Sequence, residues 1–211
     1  MAAPYLKNKP WSAWTRDERF FCSVLYADAH SNPAEFAAIV GRLSGVALRG
    51  GQWDLGFEVC FYRDYLWQLK QKSASYEAFA ASLGLPRTPS LKRTFDLCLF
   101  GESQLVVIEA KVCEGFTLSQ NTEFDDDRAM IAGLPGFEGV EVVLIGLASQ
   151  SYLDGRGPRD ESGNRQALTV FDGTMSWGAL ASEFKGESSQ LLRQADEMYG
   201  MRPGQFLGGP S

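Results

Sequence analysis

The chain holds a single histidine, His30, among 211 residues. A histidine-rich metal centre is therefore excluded, and any Ser-His or Cys-His catalysis would have to run through that one side chain. His30 stands in the run Asp28-Ala29-His30-Ser31-Asn32-Pro33, whose loop composition places it on the surface. Cysteines are few and scattered. Cys22, Cys60, Cys98 and Cys113 lie in apolar contexts with no Cys-x-x-Cys pair, which reads as reduced core residues rather than a zinc or redox site. Neither a Walker-type phosphate loop nor a Gly-x-Ser-x-Gly elbow occurs. No apolar run is long enough to span a bilayer, and the first residues lack the apolar stretch of a signal peptide, so a cytoplasmic location with no membrane partner is expected. Excess positive charge is missing too. A net charge of −6 is awkward for binding nucleic acid, although acids gathered around a cation count in that tally and are neutralised there.

What is present is ordinary globular material, 45% hydrophobic and 22% charged, in a chain long enough for one sizeable core. One α/β domain over residues 1–200 is expected, followed by a disordered Gly- and Pro-rich tail at 201–211, with no internal repeat. The oligomeric state stays open, a homodimer included. Apolar spacing predicts helices over residues 11–29, 34–43, 55–71 and 75–83. Thr117 and Gln120 form a capping box that opens another helix, ended near residue 132 by Gly133 and Pro135. Residues 140–147, VEVVLIGL, are apolar throughout and short, the mark of a strand buried on both faces at the centre of a sheet. An edge strand over 168–171 and closing helices over 176–184 and 188–199 complete the reading.

The chemistry concentrates at residues 94–115, TFDLCLFGESQLVVIEAKVCEG. Two strands, 95–100 and 105–112, flank the turn Gly101-Glu102-Ser103-Gln104. With Phe100 opposite Leu105, steps of two pair Cys98 with Val107 and Asp96 with Glu109. Alternation then puts Asp96, Glu109 and Lys111 on one face, among Val, Ile and Leu. Buried carboxylates need a partner. A hard divalent cation would satisfy both acids, with the Ala110 carbonyl as a further oxygen ligand and Lys111 poised for a phosphate or a water. The plainer alternative is a surface hairpin whose acids and lysine form a cross-strand ion pair.

Asp96, twelve residues, then Glu109-Ala110-Lys111 resembles the PD-(D/E)XK nuclease superfamily, with Phe95 where the proline of the name stands and no apolar strand evident just before Asp96. The resemblance implies a restriction-endonuclease-like core, a mixed central sheet flanked by helices. It implies phosphodiester hydrolysis dependent on Mg2+, for which Mn2+ substitutes, on nucleic acid, with DNA expected. Asp96 and Glu109 would bind the metal and Lys111 would assist hydrolysis. An upstream helical glutamate often completes such a site. Glu58 is the candidate, against an equal reading as a solvated acid in a helix's first turn, and Asp64 and Glu35 are weaker substitutes. The later helix would offer Gln120. Asp125, Asp126 and Asp127 read instead as a solvated turn. Arg87, Lys92 and Arg93 would hold a phosphate backbone, or else are solvated loop charges; Arg156, Arg159 and Arg165 lie in a polar loop that would touch substrate. Two alternatives to the enzyme are a catalytically silent domain of the same fold, acting as a binding or assembly module, and a glycosidase with paired carboxylates. The adjacent lysine speaks against the glycosidase, because it would keep both acids ionised.

Overall fold

The computed structural model describes residues 18–68, 81, 90, 92–156 and 166–201. Arg87, Arg159, Arg165, the tail beyond residue 201, the start of the first expected helix and all but residue 81 of the helix expected over 75–83 lie outside the described residues.

Helix α1 (Glu18–Ala29) buries Phe21, Cys22, Leu25 and Ala29, one stripe at helical spacing. Helix α2 (Pro33–Ser44) starts where the Asn32 side chain accepts the Glu35 amide and Pro33 sets the first turn. It stops at Gly45, whose φ of 75° suits glycine. Strand β1 (Trp53–Val59) and helix α3 (Phe61–Gln68) follow. The single helix expected over 55–71 is thus two elements over 55–68, residues 69–71 lying outside the described ones. Its aromatic run lacks strict alternation because β1 is a half-buried edge strand.

Strands β2 (Phe95–Gly101) and β3 (Gln104–Ala110) form the expected hairpin, with Phe100 opposite Leu105 and Cys98 opposite Val107. Helix α4 (Leu118–Ala132) begins at Thr117, whose amide donates to Gln120 Oε1 at 3.0 Å. Strand β4 (Glu141–Ala148) is buried beyond its first residue. A short helix α5 (Gln150–Leu153) leads on to a 3-10 turn at Leu168–Val170, where an edge strand was expected. The edge strand is β5 (Gly173–Ser176), just downstream. Helices α6 (Trp177–Ala181) and α7 (Gly186–Glu197) close the described chain.

The five strands lie in the order β1-β2-β3-β4-β5. The first two pairings are antiparallel and the last two parallel, so the sheet is mixed and β3, not β4, is its centre. β1 supplies the strand before Asp96 that the sequence did not reveal. Helices cover both faces. Leu97, Leu99, Val106 and Ile108 pack with α1, α2, α6 and α7, while Cys98, Leu105, Val107 and Leu144 pack with α3 and α4. All seven residues of β3 are buried. Each large aliphatic among them adds roughly 1.5–3 kcal/mol to folding, so this strand is the least movable platform available. Because β1 and β3 run together and β2 runs against them, the carboxyl ends of β1 and β3 meet the amino end of β2. No described helix is long and apolar enough to cross a membrane.

Candidate functional site

That shared end carries Glu58 on β1, Asp96 on β2 and Glu109 on β3. Phe57 pairs with Leu97 and Val59 with Phe95, so Glu58 and Asp96 stand between two ladder partners. Asp96 Oδ2 accepts the Ala110 amide at 2.8 Å, which ties the start of β2 to the end of β3. Lys111, one residue beyond β3, is held by its backbone. Its amide donates to Leu147 O at 2.8 Å and its carbonyl accepts Trp177 Nε1 at 2.9 Å. Its Nζ lies 4.0 Å from Glu18 Oε1. The trio is therefore gathered at one end of the central strands, but the expected Asp96–Glu109 pair is not part of the ladder, which stops at Leu97 and Ile108: Phe95 and Leu97 pack on opposite faces, so alternation breaks at Asp96, whose carboxylate takes the Ala110 amide.

Glu58 is the penultimate residue of strand β1 rather than part of a helix, which corrects the expectation for it. Its φ of 53° is unusual for a residue with a side chain, and such conformations persist where surrounding structure holds them. Arg19 pairs with it at 3.3 Å. The helical acid beside the trio is Glu18, at the start of α1, which sequence reasoning missed. An acid in a helix's first turn carries no local signal beyond its fit to the macrodipole. Asp64 pairs with Arg63, and Glu35 accepts from Asn32 at 2.8 Å, so both weaker substitutes serve their own helix starts. Gln120 is not brought to the trio by any hydrogen bond; its side-chain oxygen caps α4.

Arg93 is the largest revision. It is not a solvated loop charge. Its Nη2 donates to Glu109 Oε1 at 3.0 Å and its Nε to Asp127 Oδ2 at 2.8 Å. The guanidinium lies 4.6 Å from the Phe95 ring centroid and 5.3 Å from that of Phe124. Asp127, expected in a solvated turn, is 2% exposed in α4 and accepts Tyr62 Oη at 2.9 Å. Lys92 is exposed, as a phosphate contact would need to be. Arg156, also exposed, pairs with Asp154.

Electrostatics mark the same place. Burial pushes the Glu109 carboxyl up to about 8; Arg93 and Lys111 pull against that, and Asp96 and Asp127 add to it. The upward direction holds despite the bond to Arg93, because the cost of burying the charge outweighs that attraction. Burial also raises Asp96, opposed by the Ala110 amide and Lys111 and reinforced by Glu18 and Glu58. Cys22, fully buried in α1, is raised by desolvation and then by Asp96, Glu109, Glu18 and Glu58. Four carboxylates thus act on one neighbourhood.

Among the described residues no group of three or more Asp, Glu, His or Cys side chains is drawn together closely enough to hold a metal ion. The donor chemistry still fits a hard cation at two positions. Asp96 and Glu109 are oxygen donors whose charges are disfavoured by burial, and further by Glu18 and Glu58 at Asp96 and by Asp96 at Glu109, and a divalent ion would relieve both. A cleft of about 460 Å³ lies elsewhere, along α2 and the start of β1, lined by residues such as Ala38, Gly41, Arg49 and Trp53. No protein-family model matches this sequence, and comparison with curated proteins and with solved structures found no match.

Proposed function

We propose that this chain is a metal-dependent nuclease of the PD-(D/E)XK kind, hydrolysing phosphodiester bonds with DNA as the expected substrate. The observation that carries the reading is the convergence of Asp96, Glu109 and Lys111 at one end of two paired central strands, tied by the bond from the Ala110 amide to Asp96. Support also comes from element order: setting aside the second helix before β1 and the inserted α3 between β1 and β2, a helix, three antiparallel strands, then a helix leading to a strand parallel to the third follow the αβββαβ arrangement of that superfamily.

Asp96 and Glu109 would hold Mg2+ or Mn2+, with the Ala110 carbonyl and Glu58 or Glu18 nearby. When bound, the ion supplies an acidified water and charge stabilisation on the phosphate. Lys111, fixed at both backbone groups and 21% exposed at its side chain, would orient the nucleophile and, as an ammonium, offset charge on the phosphate. Lys92 would meet the phosphate backbone outside the site.

The test is cleavage of single- and double-stranded DNA and RNA with Mg2+, Mn2+ or Ca2+. Cleavage is expected with the first two and much less with Ca2+, whose looser coordination positions water poorly. Asp96→Asn, which removes a charged ligand and keeps its shape, is expected to weaken Mn2+ binding in calorimetry. One observation favours a catalytically silent module of the same fold: Arg93 already provides Glu109 with a cationic partner. A protein that binds no Mn2+ at Asp96 and cuts nothing across the panel would establish that second reading.

A further inference from the structure

Neighbouring residues at the start of α1 reach toward two different strands. Glu18 Oε1 lies 4.0 Å from the Nζ of Lys111, just beyond β3, and Arg19 Nε lies 3.3 Å from Glu58 Oε1 on β1. Arg19 therefore stands at the rim of the candidate site, because Glu58 is close enough to Asp96 to act on its carboxyl as a like charge. The cations near the trio differ in what they have left to offer. Arg93 is divided between Glu109 and Asp127 and flanked by two rings, and Lys111 faces Glu18. The side chain of Arg19 is 67% exposed and, among the described residues, is paired through Nε alone, which leaves Nη1 and Nη2 for a ligand. The backbone of its partner is unusual. Glu58 has a φ of 53°, a conformation that glycine adopts freely and a residue with a side chain adopts at a cost. An ion pair this exposed stabilises the fold by less than that cost, so the pair is better explained by what it holds in place.

We infer that Arg19 binds a phosphate next to the scissile one on the nucleic-acid strand, and that Glu58 is a positioning residue that holds Arg19 by Nε and aims the rest of its guanidinium at that phosphate. A guanidinium gripped at Nε presents Nη1 and Nη2 end-on, as a planar fork whose N–H groups match two oxygens of one phosphate. A fork already held in place loses less side-chain freedom on binding than a solvated one. The need for such a contact follows from charge. Glu18, Glu58, Asp96 and Glu109 gather where a phosphate must come, in a chain of net charge −6, and backbone binding depends on local cations. A flanking phosphate carries the same charge before and during hydrolysis, so the contact strengthens substrate binding without lowering the barrier. This inference rests on the nuclease reading of the site.

The experiment uses an oligonucleotide that the wild-type protein cleaves. Its affinity in Ca2+ is measured as a function of salt, and its steady-state cleavage in Mn2+, for wild type, Arg19→Gln, Arg19→Lys and Arg42→Gln. Arg42 is the matched control, an exposed arginine paired with Glu183 at 2.7 Å and lining the cleft along α2, away from the site. Arg19→Gln is expected to weaken binding by about 10-fold or more and to reduce the slope of log affinity against log salt by about one, the loss of a single phosphate contact. KM is expected to rise by a similar factor, with kcat within about threefold of wild type. Arg19→Lys keeps the charge and loses the fork; it is expected to keep the salt slope and to bind more weakly than wild type but more tightly than Arg19→Gln. Arg42→Gln is expected to match wild type in slope and KM. A series of the oligonucleotide with one neutral methylphosphonate at each position around the cut locates the contact. One substitution is expected to weaken wild type and to leave Arg19→Gln no weaker, a coupling that a merely structural role would not produce. Should Arg19→Gln fail to fold, Arg19→Lys decides, and wild-type affinity in it overturns the inference. An unchanged slope and KM in Arg19→Gln, or a fall in kcat alone, removes this inference and leaves the nuclease reading in place. Wild-type protein that cleaves no nucleic acid removes both.

Discussion

At the amino end of β3, Gln104 is 3% exposed, and at the carboxyl end of the same strand Glu109 is 5% exposed. Both ends bury a polar side chain at the rim of the sheet, and they accommodate it differently. Gln104 is neutral, and its amide is satisfied on both sides. Oε1 accepts the Arg49 amide at 2.7 Å, and Nε2 donates to Glu141 Oε2 at 2.9 Å. Arg49 and Glu141 in turn pair with each other at 2.9 Å. Glu109 is ionisable, shares its one guanidinium with Asp127, and feels Asp96 as a like charge. The first arrangement closes a structure. The second buries an ionisable carboxyl that folding alone would have avoided, and a carboxyl pushed that far above its ordinary range is the better marker of chemistry. Volume would point the other way, since the cleft of about 460 Å³ opens toward the Gln104 end, beside Arg49 and Trp53.

The sharpest break between the two ends is expected in catalysis. Lys111→Ala should reduce cleavage by about 100-fold or more while leaving Mn2+ binding largely intact, the scale for losing a positioned proton-transfer or charge-stabilising group. Kinetics paired with calorimetry checks both halves, and a Lys111→Ala protein as active as wild type would remove the lysine from the mechanism.

A pH difference should separate the ends next. Folded Glu109 holds its proton up to about 8, against a reference value of 4.5. Between those values the folded state binds more protons than the unfolded one, so this residue's contribution is fully present below about 4.5 and is lost as pH rises toward 8. The stability difference between wild type and Glu109→Gln should therefore change by a few kcal/mol across that window. Urea denaturation at pH 5 and pH 8.5 measures it, and parallel stabilities at both would contradict the assignment. Mn2+, which needs the ionised acid, should bind more tightly over the same rise and release protons as it binds.

At the other end, Gln104→Ala leaves the Arg49 amide and Glu141 without their buried partner and should destabilise the fold by about 1–3 kcal/mol. Mn2+ affinity should not change; a weakening comparable to that of Asp96→Asn would show that the two ends are coupled. The smallest effect is expected at Glu58. Glu58→Gly relieves the positive φ but loosens the unfolded chain and gives up the pairing with Arg19, so stability should shift by less than about 1 kcal/mol. Thermal denaturation reads this directly, and a loss several times larger would mean that its side chain holds the end of β1 in place.

The sequence by itself determined the hairpin register, the capped limits of α4 and the burial of β4. Strand alternation, turn length and helix caps depend only on neighbours along the chain, and Phe100, Leu105, Thr117 and Gly133 carry those signals locally. The same local rules put Asp96, Glu109 and Lys111 on one face by pairing Asp96 with Glu109, whereas the ladder stops at Leu97 and Ile108 and Asp96 accepts the Ala110 amide instead. They misread residues 55–71, where an aromatic run at the sheet's edge alternates too weakly to distinguish a strand from a helix. Only the tertiary structure decided the partners of the charges. Glu18 reaches Lys111 because α1 lies against the sheet, and Glu58 stands beside Asp96 because β1 pairs with β2. Arg93 and Asp127 look like solvated residues until α4 packs against the sheet and its Asp127 meets Arg93, which in turn bonds Glu109. Periodicity reports which face of an element is buried, whereas the sharing of one guanidinium by two acids depends on how separate elements meet, and no local pattern records that.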